Sequence, residues 1–381
     1  MSVLHSLWTV ASYLAPFLFV LSLVVFIHEL GHFLVGRWCG IKVDAFSLGF
    51  GPELAHFVDR RGTRWRIAAL PLGGYVRFHG DASGASQPDF DAASRMPESE
   101  RAVTFFAQKV WKRAAVVAAG PIANFLLAIA IFTAIFHVEG RQVLVPRVDS
   151  VVAGSRAAEA GFQKGDLVLS IDGRAIDSFI EMQRIVSASA DSPLHFVVER
   201  AGQKIEIDAT PERKDQTTPF GVSRGGVLGV AAGGSAEDWR TISYSLPLAT
   251  VEAARETWYV IDRTGAYLGG LLVGRESPQQ LSGPIRIAEV SGEVAKAGLW
   301  ALLNLAAILS ISIGLLNLLP VPLLDGGHLL YYAFEAARGR ALTPRTQEFG
   351  FRIGLAFVGA LMLVATYNDI VRIARQWLNL G

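Results

Sequence analysis

Two histidines and a glutamate inside one apolar stretch are the residues best placed to do chemistry. His28, Glu29 and His32 form the pattern His-Glu-x-x-His. On an α-helix, residues four apart share one face, so His28 and His32 can bind the same metal ion. Glu29 lies beside them, where a carboxylate can act as general base. The spacing therefore predicts a hydrolytic metal site. Packing of two histidines in a helix bundle is the alternative, but ionisable groups inside an apolar span are costly and rarely idle.

A third ligand must come from elsewhere, because a catalytic zinc usually has three protein ligands and an open fourth position. Asp325 is the best candidate, since it is an isolated carboxylate that follows an apolar run interrupted by two prolines. Irregular backbone at membrane depth is tolerated where it lines a buried or watery site. The alternatives are that Asp325 is a helix-capping residue at the membrane edge, or that His328 is the ligand.

The stretches that carry these residues are apolar enough to lie in a membrane. Of 381 residues, 51% are hydrophobic and only 18% are charged, whereas about a quarter are charged in soluble domains. Spanning a bilayer takes about 20 apolar residues, with some slack. Four stretches are predicted to span: Met1–Ile27, Ala114–Val138, Leu299–Leu324 and Ile353–Asn368. The first is predicted to be a retained helix and not a signal peptide, because it has no basic leading region and no cleavage site follows.

Charge and cysteine content exclude other classes of protein. The net charge is +1, which argues against a strongly basic nucleic-acid-binding protein, and we expect no nucleic-acid partner. Cys39 is the only cysteine, so an intrachain disulfide and a cysteine-rich zinc module are excluded.

The distribution of Lys and Arg predicts the membrane orientation. Basic residues follow the first stretch and precede the second, so residues 37–113 are predicted to be cytoplasmic and the N-terminus to lie outside. Residues 139–298 would then lie outside. Arg372 and Arg375 disagree, because this arrangement places them outside, but we give more weight to the first helix.

Residues 142–211 are predicted to form a small β-rich domain. Short β-rich runs alternate with Gly and Asp turns, and Ile180–Ser189 has a helical pattern. A β-sandwich or barrel that acts as a spacer is the simplest interpretation. However, Ala157–Phe162, Gly165-Asp166 and Ile171–Gly173 resemble a PDZ domain, which binds peptides by strand addition.

Residues 212–298 are predicted to hold a Gly-rich linker (217–235) and an amphipathic helix (247–274) that is too charged to span a membrane.

Together the motifs resemble the site-2 protease family of intramembrane zinc metalloproteases. The resemblance rests on His28-Glu29-x-x-His32 followed by Leu324-Asp325-Gly326. Four further motifs match: Phe50-Gly51-Pro52, Gly73–Val76, Gly120–Asn124 and Ser282-Gly283-Pro284. With the PDZ-like segment, the resemblance covers nearly the whole chain and indicates the bacterial regulator-of-sigma-E protease branch with one PDZ domain. Ser312 stands where related enzymes often have asparagine, which leaves its role open.

The resemblance implies a role for each matching residue. His28, His32 and Asp325 would bind zinc, and Glu29 would activate the zinc-bound water. Arg64–Phe78, which contains Gly73, Gly74 and Tyr75, would form a membrane-associated β-hairpin that pairs with an unwound substrate segment. Asn124 and Asn317 would line the substrate path.

The resemblance also implies fold, function and location. The fold would be a polytopic α-helical membrane protein with four transmembrane helices, a cytoplasmic β-hairpin and one extracytoplasmic PDZ domain, divided at residues 1–138, 142–211, 212–298 and 299–381. It would cleave single-span proteins, such as anti-sigma factors or remnant signal peptides, within the lipid of the bacterial inner membrane. This is regulated intramembrane proteolysis, in which the periplasmic PDZ domain would bind peptide or trimmed substrate ends and admit only trimmed substrates.

Two other classes of protein remain as alternatives. A metal or ion transporter would also need intramembrane His and Asp, but Glu29 beside His28 suits hydrolysis, and no inverted repeat is apparent. A catalytically idle PDZ adaptor is the second alternative, although all four catalytic residues are present.

Overall fold

The computed structural model describes residues 3–81, 96–218, 221–233, 235, 238–274 and 283–377. The chain divides into two compact units. The helical unit comprises Met1–Thr133, Thr250–Ala266 and Pro278–Gly381, and the β-rich unit comprises Ala134–Ala249 and Tyr267–Ser277. Ser282 of the predicted Ser-Gly-Pro motif and the side chain of Arg375 lie outside the described part.

Ten helices are described. They are α1 (Val3–Trp38), α2 (Glu98–Arg101), α3 (Val110–Val138), α4 (Arg156–Ala160), α5 (Phe179–Ala188), α6 (Leu246–Leu272), α7 (Pro284–Lys296), α8 (Leu299–Asn317), α9 (Asp325–Arg338) and α10 (Pro344–Trp377). Within the described residues, four helices are long and apolar enough to cross a membrane, namely α1, α3, α8 and α10. The prediction of four spans is therefore confirmed by length and composition.

The ends of these helices differ from the predicted ends for local reasons. Helix α1 continues beyond Ile27 to Trp38, because no proline or polar turn interrupts this part of the chain. The His-Glu-x-x-His pattern therefore lies within a continuous helix. Helix α8 ends at Asn317, seven residues before the predicted Leu324, because the two prolines that follow cannot continue the helical hydrogen bonds.

Twelve strands are described. They are β1 (Val43–Val58), β2 (Arg64–Phe78), β3 (Arg141–Leu144), β4 (Val148–Val151), β5 (Leu167–Ile171), β6 (Arg174–Ala175), β7 (Leu194–Arg200), β8 (Gln203–Ala209), β9 (Glu212–Thr218), β10 (Gly221–Val227), β11 (Val230–Ala232) and β12 (Trp239–Ile242).

Strands β1 and β2 form a long antiparallel hairpin in the helical unit. The predicted hairpin, Arg64–Phe78, proves to be one strand of this larger one, because the turn lies earlier, at Asp59–Thr63. The Asp59 carboxylate closes the turn by accepting hydrogen bonds from the backbone N–H groups of Arg61 and Thr63. On one face, Phe46 and Trp65 stack with their centroids 4.4 Å apart. This aromatic contact packs the hairpin against Phe33 of α1.

The β-rich unit is built around a four-stranded sheet in the order β6-β5-β7-β8. Smaller pairs are β4 with β11, β3 with β12 and β9 with β10. The predicted helices at 180–189 and 247–274 are observed as α5 and α6. The predicted linker at 217–235 is wrong in its described part, which contains β10 and β11. Glycine suits this segment because a Cβ on Gly226 would lie 2.2 Å from the Val186 carbonyl oxygen.

Candidate metal centre

His28 and His32 lie one turn apart on α1, on the side that faces α3. Small residues let these two helices approach closely. A Cβ on Gly31 would lie 2.3 Å from the Ala119 carbonyl oxygen, and one on Gly120 would lie 2.3 Å from His32 Nε2. The space occupied by the two imidazoles therefore depends on Gly120, which belongs to one of the motifs singled out from the sequence.

Asp325 reaches the histidines from the first turn of α9, after a compact non-helical segment at residues 318–324. The two glycines that follow make this turn possible. A Cβ on Gly326 would lie 2.2 Å from the Leu318 carbonyl oxygen, and one on Gly327 would lie 2.3 Å from that of Val321. These contacts fold the end of α8 back against the start of α9, so that the first residue of α9 lies beside the two histidines.

Three potential ligand atoms converge at this point. Asp325 Oδ2 lies 3.2 Å from His28 Nε2 and 3.6 Å from His32 Nε2. The two Nε2 atoms are 3.2 Å apart. Within the described residues, this is the only group of three or more His, Cys, Asp or Glu side chains that could hold a metal ion, with all three ligand atoms within 4.8 Å of one another.

The chemistry of these atoms fits a zinc ion. Two imidazoles and one carboxylate are a ligand set that zinc accepts, with a further position left for water or substrate. Asp325 Oδ2 is buried and has no hydrogen-bond partner among the described residues. A buried carboxylate oxygen without a hydrogen bond is costly unless a cation balances it. The site therefore has both the donors and the charge that a divalent cation requires.

The ring of His32 is oriented by a backbone group. Its Nδ1 lies 2.8 Å from the Val116 carbonyl oxygen, to which it can only donate. The proton therefore resides on Nδ1, and the lone pair of Nε2 faces Asp325 and His28. His28 Nδ1 has a different neighbour, the side-chain amide of Asn124, whose Nδ2 is 3.3 Å away.

Glu29 lies between the metal-binding pair and the hairpin. Val76 of the hairpin lines the same cavity as Glu29. A Cβ on Gly74 would lie 3.0 Å from Glu29 Cγ and 2.8 Å from the Ser47 carbonyl oxygen. Strand β2 therefore passes directly beside Glu29, which explains why glycine occupies position 74.

A cavity of about 200 Å³ joins these groups. The acidic and histidine residues that line it are His28, Glu29, His32, Asp325 and His328, and strand β2 forms another wall at Gly74, Tyr75 and Val76. His328 thus lies in the cavity but is not one of the three clustered ligand atoms. Asp325 and His328 are the two candidates for the third ligand, and Asp325 is the one that lies close to both histidines.

The other predicted site residues lie at different distances from this centre. Tyr75 lines the cavity and stacks on Phe50, and a Cβ on Gly73 would lie 2.5 Å from the Phe50 ring. Asn317 is half-buried at the end of α8 and does not line this cavity. Asn124 is fully buried, does not line the cavity and faces His28.

Several residues that support the site could not be singled out from the sequence. The Val116 contact uses a backbone carbonyl, which any residue type provides. Tyr332 lines the cavity and packs under the Arg113 guanidinium, which lies 4.9 Å from its ring centroid. A basic residue followed by an apolar stretch is the only signal for Arg113, and it indicates a membrane boundary and not a contact with a distant tyrosine.

Comparison with known sequences agrees with this chemistry. The family model of peptidase family M50 matches residues 16–361. A protein named "Putative zinc metalloprotease Atu1380" from Agrobacterium fabrum is 50% identical over 359 residues, which are 94% of this chain and 95% of that protein. "Putative zinc metalloprotease R01501" from Rhizobium meliloti is 49% identical, covering 93% and 95%. "Metalloprotease MmpA" from Caulobacter vibrioides is 42% identical, covering 94% and 95%.

Proposed function

The chain belongs to peptidase family M50, a family of zinc-dependent metalloproteases, and on that premise we propose that it cleaves peptide bonds of single-span proteins within the membrane. The observation that carries the proposal is the convergence of His28, His32 and Asp325 on one point, beside Glu29. This centre lies on α1, which is apolar enough to cross a membrane.

We assign zinc binding to His28, His32 and Asp325. When bound there, zinc would supply Lewis-acid polarisation of the scissile carbonyl and would make water easier to deprotonate. The chain's own contribution is Glu29, whose carboxylate takes the proton from the attacking water and passes it to the leaving amine. The close approach of Gly74 to the Glu29 side chain restricts where this carboxylate can lie.

Strand β2 is the element best suited to position the substrate. A peptide bond within a transmembrane helix is shielded by the helix's own hydrogen bonds, so the substrate must unwind before it is cut. An unwound segment can pair with a strand edge, which satisfies its free backbone groups. Because Gly74 and Tyr75 line the same cavity as Glu29, a segment paired with this part of β2 would pass the base. We assign Gly73 and Asn317 to the same path.

The β-rich unit is proposed to be a PDZ domain that selects substrates outside the membrane. Support comes from its four-stranded sheet and two helices, and from β11, which pairs only with β4 among the described strands and so leaves an edge for a peptide. With the orientation that the basic residues favour, this unit lies on the periplasmic side of the bacterial inner membrane and the hairpin on the cytoplasmic side. Trimmed anti-sigma factors or remnant signal peptides are the substrate class that we propose.

Cleavage by the purified protein in lipid vesicles would test this function. The zinc-loaded protein, the chelated protein and the chelated protein with zinc restored are incubated with a single-span substrate, in a trimmed and an untrimmed form. We expect zinc-dependent cleavage, mapped by mass spectrometry to the apolar segment, and faster cleavage of the trimmed form. Zinc-dependent ion flux without cleavage would instead support a transporter. Equal cleavage of both forms would remove the filter role and leave the protease.

A further inference from the structure

The side chain of Asn124 makes an unusual contact with the metal centre. Asn124 lies on α3 and is fully buried. Its Nδ2 is 3.3 Å from His28 Nδ1. Its Oδ1 is also buried and has no hydrogen-bond partner among the described residues. A buried amide that leaves its acceptor unused is costly, because the oxygen has lost its water without gaining a partner.

The contact also conflicts with metal binding by His28. A neutral imidazole has one N–H and one lone pair. If the Asn124 amide N–H donates to Nδ1, the imidazole proton must lie on Nε2, which is the atom directed towards Asp325 and His32. That tautomer offers no lone pair to a metal. His32 has the opposite tautomer, because its Nδ1 faces a carbonyl oxygen.

Rotating the Asn124 amide by half a turn gives its oxygen a partner and removes the conflict with metal binding, while Nδ2 moves to the buried position where Oδ1 had no partner. Its Oδ1 then takes the place of Nδ2 and accepts a hydrogen bond from His28 Nδ1–H, which leaves the His28 Nε2 lone pair free. We propose that Asn124 is a positioning residue whose amide oxygen fixes the metal-binding tautomer of His28. This role corresponds to that of the Val116 carbonyl towards His32, and it rests on the proposed zinc site.

The surroundings of Asn124 hold its backbone while allowing this rotation. The Ser310 hydroxyl on α8 donates to the Asn124 carbonyl oxygen at 2.9 Å. A Cβ on Gly314, one turn further along α8, would lie 3.2 Å from Asn124 Cβ. Helix α8 therefore covers Asn124 and excludes water from its side chain. Because the oxygen and nitrogen of an amide are similar in size, their exchange needs no additional volume.

Replacing Asn124 by aspartate separates the two orientations. An ionised aspartate can only accept a hydrogen bond, so Asn124→Asp preserves the proposed contact with His28 Nδ1–H. If the amide is instead a donor, the same change removes the contact and places a carboxylate beside a lone pair. Asn124→Leu has a similar shape and can neither donate nor accept. Asn304→Leu is the matched control, because Asn304 is exposed on α8.

The experiment measures zinc affinity by competition with a chelator, together with the visible spectrum of the cobalt-substituted proteins. Loss of a group that orients a metal-binding histidine typically weakens metal binding 10- to 100-fold. We expect a loss of about that size for Asn124→Leu, and zinc affinity within about threefold of wild type for Asn124→Asp and Asn304→Leu. The cobalt spectrum should change for Asn124→Leu alone.

Two outcomes would overturn the proposal, and a third would overturn the proposed function on which it rests. The first is wild-type zinc affinity in a folded Asn124→Leu protein. The second is weak zinc binding by Asn124→Asp while its metal-free form melts like wild type, which would make the amide a donor. This second result is decisive even if Asn124→Leu does not fold. The third is the absence of zinc binding by the wild-type protein, which would instead overturn the proposed function.

Discussion

The Arg113 guanidinium lies 2.6 Å from the Glu335 carboxylate and joins the start of α3 to α9. Both side chains are largely buried, with 13% and 16% exposed. Helix α3 covers the two histidines, and α9 begins at Asp325. The ion pair therefore links the two elements that must keep a fixed distance for the three ligand atoms to meet.

Glu335→Gln should weaken this link and destabilise the helical unit by roughly 2 kcal/mol, since a buried charge would lose its partner. Zinc affinity should fall as well, because α9 carries Asp325. Thermal unfolding in detergent and chelator competition measure the two effects, and the exchanged pair Arg113→Glu with Glu335→Arg should recover part of both.

Glu348→Gln is the control, because the Glu348–Arg352 pair is exposed and should contribute little. If Glu335→Gln and Glu348→Gln lower stability and zinc affinity by the same amount, Glu335 has no specific role.

The third ligand can be tested by two substitutions on α9. Asp325→Ala should abolish cleavage and lower zinc affinity by orders of magnitude, because Asp325 Oδ2 lies within 3.6 Å of both histidine Nε2 atoms. His328→Ala should keep zinc bound, since His328 lies in the cavity but outside the cluster of ligand atoms. Metal analysis after dialysis provides the measurement. Loss of zinc from His328→Ala together with retention by Asp325→Ala would reverse the assignment.

Gly120 should be intolerant of even one methyl group. A Cβ at this position would lie 2.3 Å from His32 Nε2 and 2.8 Å from His28 Cε1, so Gly120→Ala should displace both rings and lower zinc affinity at least tenfold. Gly359→Ala is the matched control on α10, because a Cβ there meets nothing within 4 Å. Zinc titration of both variants decides the matter. If Gly120→Ala binds zinc as tightly as Gly359→Ala, the close approach of α3 is not needed for binding.

The site residues that could be predicted from the sequence are those that a short stretch of chain identifies by itself. His28 and His32 could be placed on one face because the helical period alone fixes that relationship. Asp325 stood out because an isolated carboxylate is unusual next to an apolar, proline-broken run. The hydrogen-bond partners of the two histidines could not be predicted. One is the backbone of Val116, and the other depends on which atom of the Asn124 amide faces the ring.

The strands could likewise not be predicted where they depend on contacts with distant parts of the chain. The glycine content of residues 217–235 predicts a linker, yet Gly225 and Gly226 belong to β10 and pack against the end of α5. Their lack of side chains is what allows this contact. Likewise, β1 was not identified as the partner of β2, because strand pairing depends on the turn at Asp59 and on contacts with α1. Such long-range packing has no fixed period in the sequence.

Asp81 should make stability depend on pH. Burial raises the pKa of Asp81 to about 8, although the hydrogen bond that its carboxylate accepts from the Phe78 backbone N–H lowers this pKa by a smaller amount. The carboxyl is therefore protonated in the folded protein at neutral pH, but ionised in the unfolded chain above about pH 4. The unfolded state then binds fewer protons, so stability falls as pH rises from about 4 to about 8.

Asp81→Asn should remove this dependence, because an amide does not titrate. The difference in melting temperature between Asp81→Asn and wild type should widen in favour of the variant from pH 5 to pH 8 and then level off. Asp149→Asn serves as the control, since Asp149 is exposed. A difference that stays constant across this range would show that Asp81 titrates alike in the folded and unfolded chains.

Glu29→Gln separates the chemistry from metal binding. Glu29 lies against the hairpin at Gly74, and it is not one of the three clustered ligands. Glutamine keeps the shape but cannot take a proton at neutral pH, so the variant should fold and hold zinc as the wild type does. Cleavage should fall by about 10²–10⁴, the usual contribution of general-base catalysis. Because β2 is unchanged, unwound substrate should still bind and co-purify.

The measurements are zinc content, substrate capture and cleavage rate for wild type and Glu29→Gln in the same detergent. A variant that loses zinc would make Glu29 a ligand, whereas normal cleavage would remove it from the mechanism.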